Sequence, residues 1–327
     1  MCYQPHFFCK HSQNQPKTTN LEPMKFGKLD DLTGVDFTMP PDPPRTQRIL
    51  AKALNDNPKK LKVYLGATGW SNKEWVGKWY PAKTKAGDFL DHYSLIFNTI
   101  EFNTTHYRVP KADLIERWYE RAASDFKFCP KIPQQISHRA RLKAEEPTLR
   151  FAESVAGLRE KLGPCFIQLP DRHSPEGAMQ VTDFLETWPS ETELHWECRH
   201  PDWFQDMGGN SEMVFDALES KGHGTVITDV AGRRDAMHMQ LTTPSLMLRF
   251  VGNGLHPTDY QRSDDWINRI AEWSEKGLKS AWIFIHQPEI TQVPDFTAYW
   301  AKELNEKCGL QLTLPKPIKL DIQGTLF

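Results

Sequence analysis

The chain has 327 residues, a formal net charge of −2 at pH 7 and a sequence pI near 6.6. This balance provides no global basic field, so it argues against a dedicated nucleic-acid binder, although a local basic patch stays compatible with it. No apolar run approaches the ~18 residues of a transmembrane helix, and the first residues lack the apolar segment and cleavage site of a signal peptide. We therefore expect a cytoplasmic protein without a membrane partner; its oligomeric state stays open.

The first 60 residues differ from the rest of the chain in their pattern of polar and apolar residues. Residues 1–23 are polar and contain no periodic apolar pattern, so we expect a disordered tail there, with Met24 as an alternative start. Residues 24–60 form an N-terminal arm: a proline cluster at 40–44 favours extended backbone, and Thr46–Leu54 is typical of a short helix. Residues 61–327 are expected to be one domain with a C-terminal tail.

From Leu61 onward, strand-like and helix-like patterns alternate. The predicted strands are Val63–Ala67, Thr99–Asn103, Phe126–Pro130, Cys165–Leu169, Leu194–Cys198, Thr225–Asp229, Leu246–Val251 and Ala281–His286. The predicted helices are Phe89–Phe97, Ala112–Ala122, Arg150–Leu162, one opened by Ser174-Pro175, one from Asn210 or Ser211 to Gly222, a short one at Asp235–Leu241, Asp259–Lys276 and Pro294–Lys307.

The alternation predicts the fold class. Strands separated by helices pair in parallel, and eight such units over roughly 245 residues match an α/β protein with a single TIM-type (β/α)8 barrel and an N-terminal extension. The alternative is an open doubly wound sheet, but no glycine-rich phosphate fingerprint follows any predicted strand. The barrel is therefore the better prediction.

The six cysteines, Cys2, Cys9, Cys129, Cys165, Cys198 and Cys308, show no C-x-x-C pair and no metal-ligand spacing. Reduced thiols fit this usage best. Those at 129, 165 and 198 lie in predicted strands, where packing is their expected role.

Several motifs together resemble a known family. They are LGATGW (65–70), WYP (79–81), IEFNTTHYRVP (100–110), FKFCPKIPQQISH (126–138), LGPCFIQLP (162–170), WECRHPDWF (196–204), VITDV (226–230) and LRFVGN (248–253). The match to the YecE-like proteins, domain of unknown function 72 (DUF72), runs from about Leu61 to Lys307. The resemblance implies a TIM barrel with a polar pocket at its mouth and supplies no established reaction. His286-Gln287 stands where many members carry an asparagine pair, which puts any role of that amide in doubt.

Polar residues follow or end several predicted strands, the place where barrels keep their chemistry. Alternation puts Glu101 on one face of the second strand, and His195, Glu197 and Arg199 together on one face of the fifth. The candidate catalytic carboxylates are Glu101, Glu197 and Asp229. The candidate ligand contacts are Trp70, Asn103, Tyr107, Lys131, His138, Gln168, Arg199, Arg249 and His286.

Each of these assignments has a structural alternative. The charges could form ion pairs that tie strands together, Glu197 with Arg199 and Asp229 with Arg249. Trp70 and Tyr107 could stack on a sugar ring or a base, or could only pack. His106 is the weaker candidate, because a lone loop histidine is usually solvated.

Three function classes follow. The first is a hydrolase or isomerase acting on a small anionic, phosphate- or sugar-containing ligand, with glycoside hydrolysis among its forms and a divalent metal as an open cofactor. The second is a non-catalytic nucleotide or nucleic-acid binder that uses Arg233 and Arg234. The third is a structural protein with an inert mouth, which the number of converging ionisable groups disfavours.

Overall fold

A computed structural model describes residues 27, 29–56, 60–205 and 209–318. The predicted tail over residues 1–23, together with Met24, lies outside these residues. So do the first two cysteines and residues 319–327.

Eight strands form one parallel sheet in the described part of the chain. They are β1 Lys62–Ala67, β2 Thr99–Phe102, β3 Lys127–Pro130, β4 Cys165–Gln168, β5 Leu194–Glu197, β6 Gly224–Asp229, β7 Ser245–Val251 and β8 Ser280–His286. Their spatial order is β3-β2-β1-β8-β7-β6-β5-β4. Isolated bridges, Phe128 to Leu162 and Lys131 to Phe166, join β3 to the region of β4 and nearly close the barrel. The predicted TIM-type barrel is confirmed.

Helices surround the barrel. The α-helices in the described residues are α1 Pro44–Asp56, α2 Phe89–Ile96, α3 Thr104–Tyr107, α4 Ala112–Arg121, α5 Glu145–Ala156, α6 Ala178–Thr187, α7 Asp202–Gln205, α8 Gly209–Ser220, α9 Pro257–Lys276 and α10 Val293–Cys308. A single π-helical turn, Gln135–Arg139, follows β3. Among these described residues, no helix combines the length and the apolar composition needed to cross a membrane.

Two helix predictions need correction. The predicted helix Arg150–Leu162 begins earlier, at Glu145, and ends at Ala156, because Gly157 interrupts it before a 3-10 turn at Arg159–Lys161. Glu145 and Glu146 in its first turn are favoured by the positive end of the helix dipole. The predicted helix Asp235–Leu241 is wrong. A 3-10 turn ends at Ala236, and residues 237–242 continue as buried, non-helical backbone.

The N-terminal helix α1 takes the place of the long helix that β6 lacks. Thr46 Oγ1 donates to the Met239 carbonyl at 2.7 Å and accepts from Leu241 N–H at 2.8 Å, which ties α1 to the extended segment after β6. Arg45 reaches α8 on one side, with Asp216 at 2.7 Å and Glu219 at 2.6 Å. On the other side α1 packs against α9. The extension is therefore part of the outer ring of the barrel.

Gly277 allows α1 to approach the end of α9. Its φ of +118° lies in the region that L-residues with a side chain rarely adopt. A Cβ at this position would also lie 2.3 Å from the Leu50 carbonyl oxygen of α1. The glycine that closes α9 thus serves both the helix end and the contact between helices.

The core has an outer and an inner part. Between strands and helices, Phe102 packs edge-on against Trp118 at 4.7 Å, so β2 faces its apolar side outward as predicted. Inside the barrel the buried side chains are Cys129, Phe166, Val226, Met247, Trp282 and Phe284, with Tyr64 stacked on Trp282 at 3.8 Å. Cys129, Cys165 and Cys198 are buried free thiols. This apolar filling supports the polar side chains at the carboxyl ends of the strands.

We predict that Thr46→Val lowers the free energy of unfolding by about 1–3 kcal/mol, because it leaves a buried carbonyl and a buried N–H without their partner. Thr182→Val is the matched control, since the Thr182 hydroxyl bonds a helix carbonyl at an exposed site. Urea unfolding of the three proteins measures the difference. Equal stability of all three would show that α1 is a dispensable attachment.

Candidate functional site

The centre of the barrel mouth is a buried guanidinium between two carboxylates. Arg249, on β7, donates from Nε and Nη2 to Glu101 of β2 at 3.0 and 2.9 Å. Its Nη1 donates to both oxygens of Glu197 of β5 at 3.0 and 2.9 Å. All three side chains are at most 1% exposed. We call Glu101, Arg249 and Glu197 the central triad.

The protein charges keep the triad ionised. Burial raises the pKa of Glu197, but the Arg249, Arg199 and Lys131 charges outweigh it and hold that pKa to about 2. For Glu101 the same burial is outweighed by Arg249 and His286, so its pKa lies well below the usual range. Burial opposes the charge of Arg249, and the two carboxylates raise its pKa nonetheless. A carboxylate with a depressed pKa is a poor general base near neutral pH.

Neighbouring side chains occupy further acceptor positions of both carboxylates. Glu101 accepts from Asn103 Nδ2 at 2.9 Å and lies 2.7 Å from His286 Nε2. Glu197 Oε1 accepts from Arg199 Nε and from Thr228 Oγ1, each at 2.9 Å. Each oxygen of Glu101 thus has two hydrogen-bonding neighbours, which is the capacity of a carboxylate oxygen. Glu101 is thus fully engaged, and Glu197 accepts from Arg249, Arg199 and Thr228, mostly at Oε1.

Lys131 lies beside the triad at the end of β3 and is only 5% exposed. Its Nζ donates to Gln168 Oε1 at 2.8 Å. Burial and the Arg249 charge lower the pKa of Lys131 to about 8, against the opposing effect of Glu101 and Glu197. Among the described residues, no carboxylate forms a salt bridge with it. The sequence placed Lys131 and Gln168 in the mouth, and the structure brings them together.

Two histidines border Lys131. Thr105 Oγ1 in α3 donates to the Lys131 carbonyl at 2.7 Å, which brings His106 to the end of β3. The His106 and His138 rings are 5.6 Å apart between centroids, and both are half-buried. Burial and the Lys131 charge lower the pKa of His106 to about 4 and also lower that of His138. Both imidazoles are therefore neutral at pH 7.

Asp229 lies in a different cluster. Its Oδ1 accepts from Arg262 at 2.8 Å and from Arg234 at 2.7 Å, and its Oδ2 accepts from Trp266 Nε1 at 2.7 Å. Arg262 and Trp266 belong to α9, so Asp229 faces the outer ring, and Thr228 takes the inward position on β6. The predicted ion pair of Asp229 with Arg249 is wrong, whereas the pair of Glu197 with Arg199 is present.

The two aromatic candidates have different surroundings. Trp70 packs on Phe102 at 5.1 Å and on Trp118 at 6.0 Å, within the layer between strands and α4. Tyr107 is 69% exposed, and its ring contacts that of His106 at 5.7 Å. The structure thus favours a packing role for Trp70 and leaves Tyr107 at the rim of the mouth.

Arg233 and Arg234 bond to the protein itself. Arg233 pairs with Asp171 at 2.9 Å and donates to the Arg199 carbonyl. Arg234 pairs with Asp229 and donates to the Phe37 carbonyl of the N-terminal arm at 3.2 Å. The local basic cluster therefore serves internal contacts.

Metal ions in proteins are held by sets of ligating side chains that lie close together. Across the described ranges, no group of three or more histidine, cysteine, aspartate or glutamate side chains is arranged to hold a metal ion. The divalent metal that the sequence left open thus has no ligands attributed to it.

The sequence led us to expect a solvated His106, but its ring is half-buried and bonded to the Ile132 carbonyl, and Thr228 was not among the predicted site residues. The alternation that places Glu197 inward would also have placed Thr228 inward on β6, one residue before Asp229. For His106 the only signal was the polar turn after β2, and its contact with Ile132 joins segments 26 residues apart.

A family model described as protein of unknown function DUF72 matches residues 64–319. The UPF0759 protein YecE of Escherichia coli K12 is 29% identical over 252 residues, covering 71% of this chain and 89% of YecE. The fold is similar to that of a DUF72 family protein from Enterococcus faecalis (TM-score 0.58, 18% identity, 76% of this chain and 98% of that chain). A DUF72 family protein from Thermotoga maritima gives a TM-score of 0.56 at 21% identity, covering 76% and 96% of the two chains.

The triad predicts a pH dependence of stability. The folded pKa of Glu197, about 2, lies below its ordinary value of 4.5, so its contribution is present above pH 4.5 and is lost as the pH falls toward 2. Over that window we expect the unaltered protein to lose about 3 kcal/mol more unfolding free energy than Glu197→Gln. At pH 7 this variant should be less stable by about 3–5 kcal/mol, because Arg249 loses a buried partner.

Urea unfolding at several pH values measures both effects. Glu153→Gln, at an exposed position of α5, should keep the full pH dependence. A Glu197→Gln variant with the same acid sensitivity as the unaltered protein would contradict the triad as described.

Proposed function

The chain belongs to the DUF72 family, and from the geometry of its barrel mouth we propose that this mouth binds a small anionic ligand at Lys131. The ligand carries a phosphate or carboxylate group. Lys131 holds the anion and moves a proton at it, as an isomerase or a hydrolase requires.

The observation that carries this proposal is a buried ammonium group without a carboxylate partner. Lys131 is 5% exposed, and its hydrogen bond goes to the neutral amide of Gln168. Buried charges are normally paired or bound to a ligand. A bound anion would supply the missing negative charge and accept the remaining N–H donors of the ammonium group.

The charge of the mouth supports an anion rather than a cation. Glu101 and Glu197 contribute two negative charges, and Arg249, Arg199 and protonated Lys131 contribute three positive ones, which leaves a net charge of +1. The negative charges are held by the arginines. The positive excess therefore lies on the side of Lys131.

The pKa of Lys131, about 8, suits proton transfer. Near neutral pH both the ammonium and the free amine are populated, so one group can accept a proton and return it. The carboxylates of the triad are held ionised and hydrogen-bonded, and we give Glu101 and Glu197 a positioning role. This differs from the catalytic role that the sequence suggested for them.

A nucleotide or nucleic-acid binder is the weaker candidate. Arg233 and Arg234 are engaged with Asp171 and Asp229, and Trp70 packs in the outer layer. An inert mouth is also disfavoured, because an apolar side chain in place of Lys131 would avoid the cost of burying its charge.

We predict that sulfate binds at Lys131. Lys131→Met keeps the length of the side chain and removes its charge, so sulfate affinity should fall about 10- to 100-fold, the usual worth of a charge-assisted hydrogen bond. Lys127→Met is the control, because Lys127 lies at the opposite end of the same strand. Isothermal titration calorimetry and thermal shift with sodium sulfate measure the difference.

The pH profile gives a second criterion. Sulfate keeps its charge between about pH 6 and 10, and the pKa of Lys131 is about 8. Sulfate affinity should therefore be constant below pH 8 and should fall about tenfold for each pH unit above it. Equal sulfate binding by both lysine variants, or a flat profile through pH 8, would contradict the proposal.

A further inference from the structure

The hydrogen bonds of His106 assign its tautomer. Its Nδ1 lies 2.8 Å from the carbonyl oxygen of Ile132, which can only accept, so Nδ1 carries the hydrogen. In a neutral imidazole the other nitrogen then has a lone pair and acts as an acceptor. Within the described residues, Nε2 of His106 has no hydrogen-bond partner.

His138 has the same arrangement in one of its two neutral tautomers. Its Nδ1 lies 2.8 Å from Ser137 Oγ, and that hydroxyl donates to the Pro133 carbonyl at 3.3 Å. When the serine hydrogen is directed to Pro133, the serine oxygen accepts from Nδ1–H of His138; a serine that donates to Nδ1 instead would leave the hydrogen on Nε2. In the first of these tautomers Nε2 of His138 is also an acceptor, and in both of them no described side chain is bonded to it.

The two rings lie together beside Lys131, whose carbonyl accepts from Thr105 in the same short helix as His106. The rings are 5.6 Å apart between centroids and approach at an angle of 75°. Burial first and the charge of Lys131 second lower the pKa of both rings and keep them neutral. Neutral acceptors repel the oxygens of an anion and bind O–H or N–H donors.

We infer that His106 and His138, both with the hydrogen on Nδ1, form a hydroxyl-binding subsite, so that the ligand of the mouth is a hydroxylated anion, such as a polyol phosphate or a sugar acid. This inference rests on the proposed anion site at Lys131. The anionic group pairs with Lys131, and hydroxyl groups two or three bonds away donate to the two Nε2 atoms. Neutral acceptors beside a cation select such ligands over alkyl anions of the same size, because an alkyl group would leave both acceptors desolvated and unpaired.

The test compares matched pairs of probes by isothermal titration calorimetry on the full chain. The phosphate pair is glycerol phosphate and n-propyl phosphate, and the carboxylate pair is glycerate and propionate. We expect the hydroxylated member of the preferred pair to bind about tenfold tighter, as two added hydrogen bonds allow. The pair that binds more tightly distinguishes phosphate from carboxylate as the anionic group.

His106→Asn and His138→Asn should remove this preference. The asparagine amide can replace Nδ1–H as the donor to Ile132 or Ser137, while the Nε2 acceptor is lost. Both variants should bind n-propyl phosphate at least as tightly as the unaltered protein does, because the acceptor that an alkyl group leaves unpaired is gone. His92→Asn, at a half-buried position of α2, should leave the preference intact.

The outcomes separate the two proposals. Equal affinity for both members of each pair in the unaltered protein overturns the hydroxyl subsite and leaves the anion site standing. The same holds if His106→Asn and His138→Asn retain the preference. Binding of none of the four anions overturns both proposals, and the comparison of probes needs no variant to fold.

Discussion

The barrel interior is organised around the burial of one guanidinium group. Arg249 is 1% exposed and stands above apolar side chains such as Phe166 and Met247. Removing such a charge from water costs several kcal/mol unless partners surround it. Glu101 and Glu197 meet this cost from two strands that are well separated around the barrel. The triad therefore links β2, β5 and β7 across the interior, and it decides which positions at the mouth are left for a ligand.

The two carboxylates of the triad are already hydrogen-bonded to other side chains. Lys131 is therefore the group of the mouth that is better suited to proton transfer. A carboxylate that already accepts from arginine, histidine and amide donors has little capacity left for a substrate proton. Lys131 is bonded to an amide and its pKa is lowered to about 8, so its free amine form can accept a proton and its ammonium form can return it. Burial and the same positive charge lower the pKa of His106 and of His138, so both imidazoles are neutral and each keeps one nitrogen with a lone pair. Stability and binding thus use different charged groups of one cluster.

The sequence predicted the barrel and much of its mouth for a simple physical reason. Strand side chains alternate, so apolar residues on one face of β2 and β5 place Glu101 and Glu197 on the other. What alternation could not give was the partner of each charge, because Arg249 lies 148 and 52 residues away from its two carboxylates. It also could not show that α1 would replace a helix after β6. That substitution depends on contacts such as Thr46 with Met239, which have no local signature.

Asp229 shows why a carboxylate at a strand end is weak evidence for chemistry. It is the last residue of β6, at the carboxyl end of the strand as predicted, yet it faces α9, where Arg262 and Trp266 donate hydrogen bonds to it. Arg234, its third partner, also donates to the Phe37 carbonyl of the N-terminal arm, and the guanidinium groups of Arg234 and Arg262 lie 5.5 and 5.3 Å from the Phe37 ring. The charge of Asp229 thus holds two arginines on which the arm rests. A binding group is thus distinguished from a structural one by two features: its side chain points into the barrel mouth, and it keeps a donor or an acceptor that no protein group uses. Its position along the strand is not sufficient.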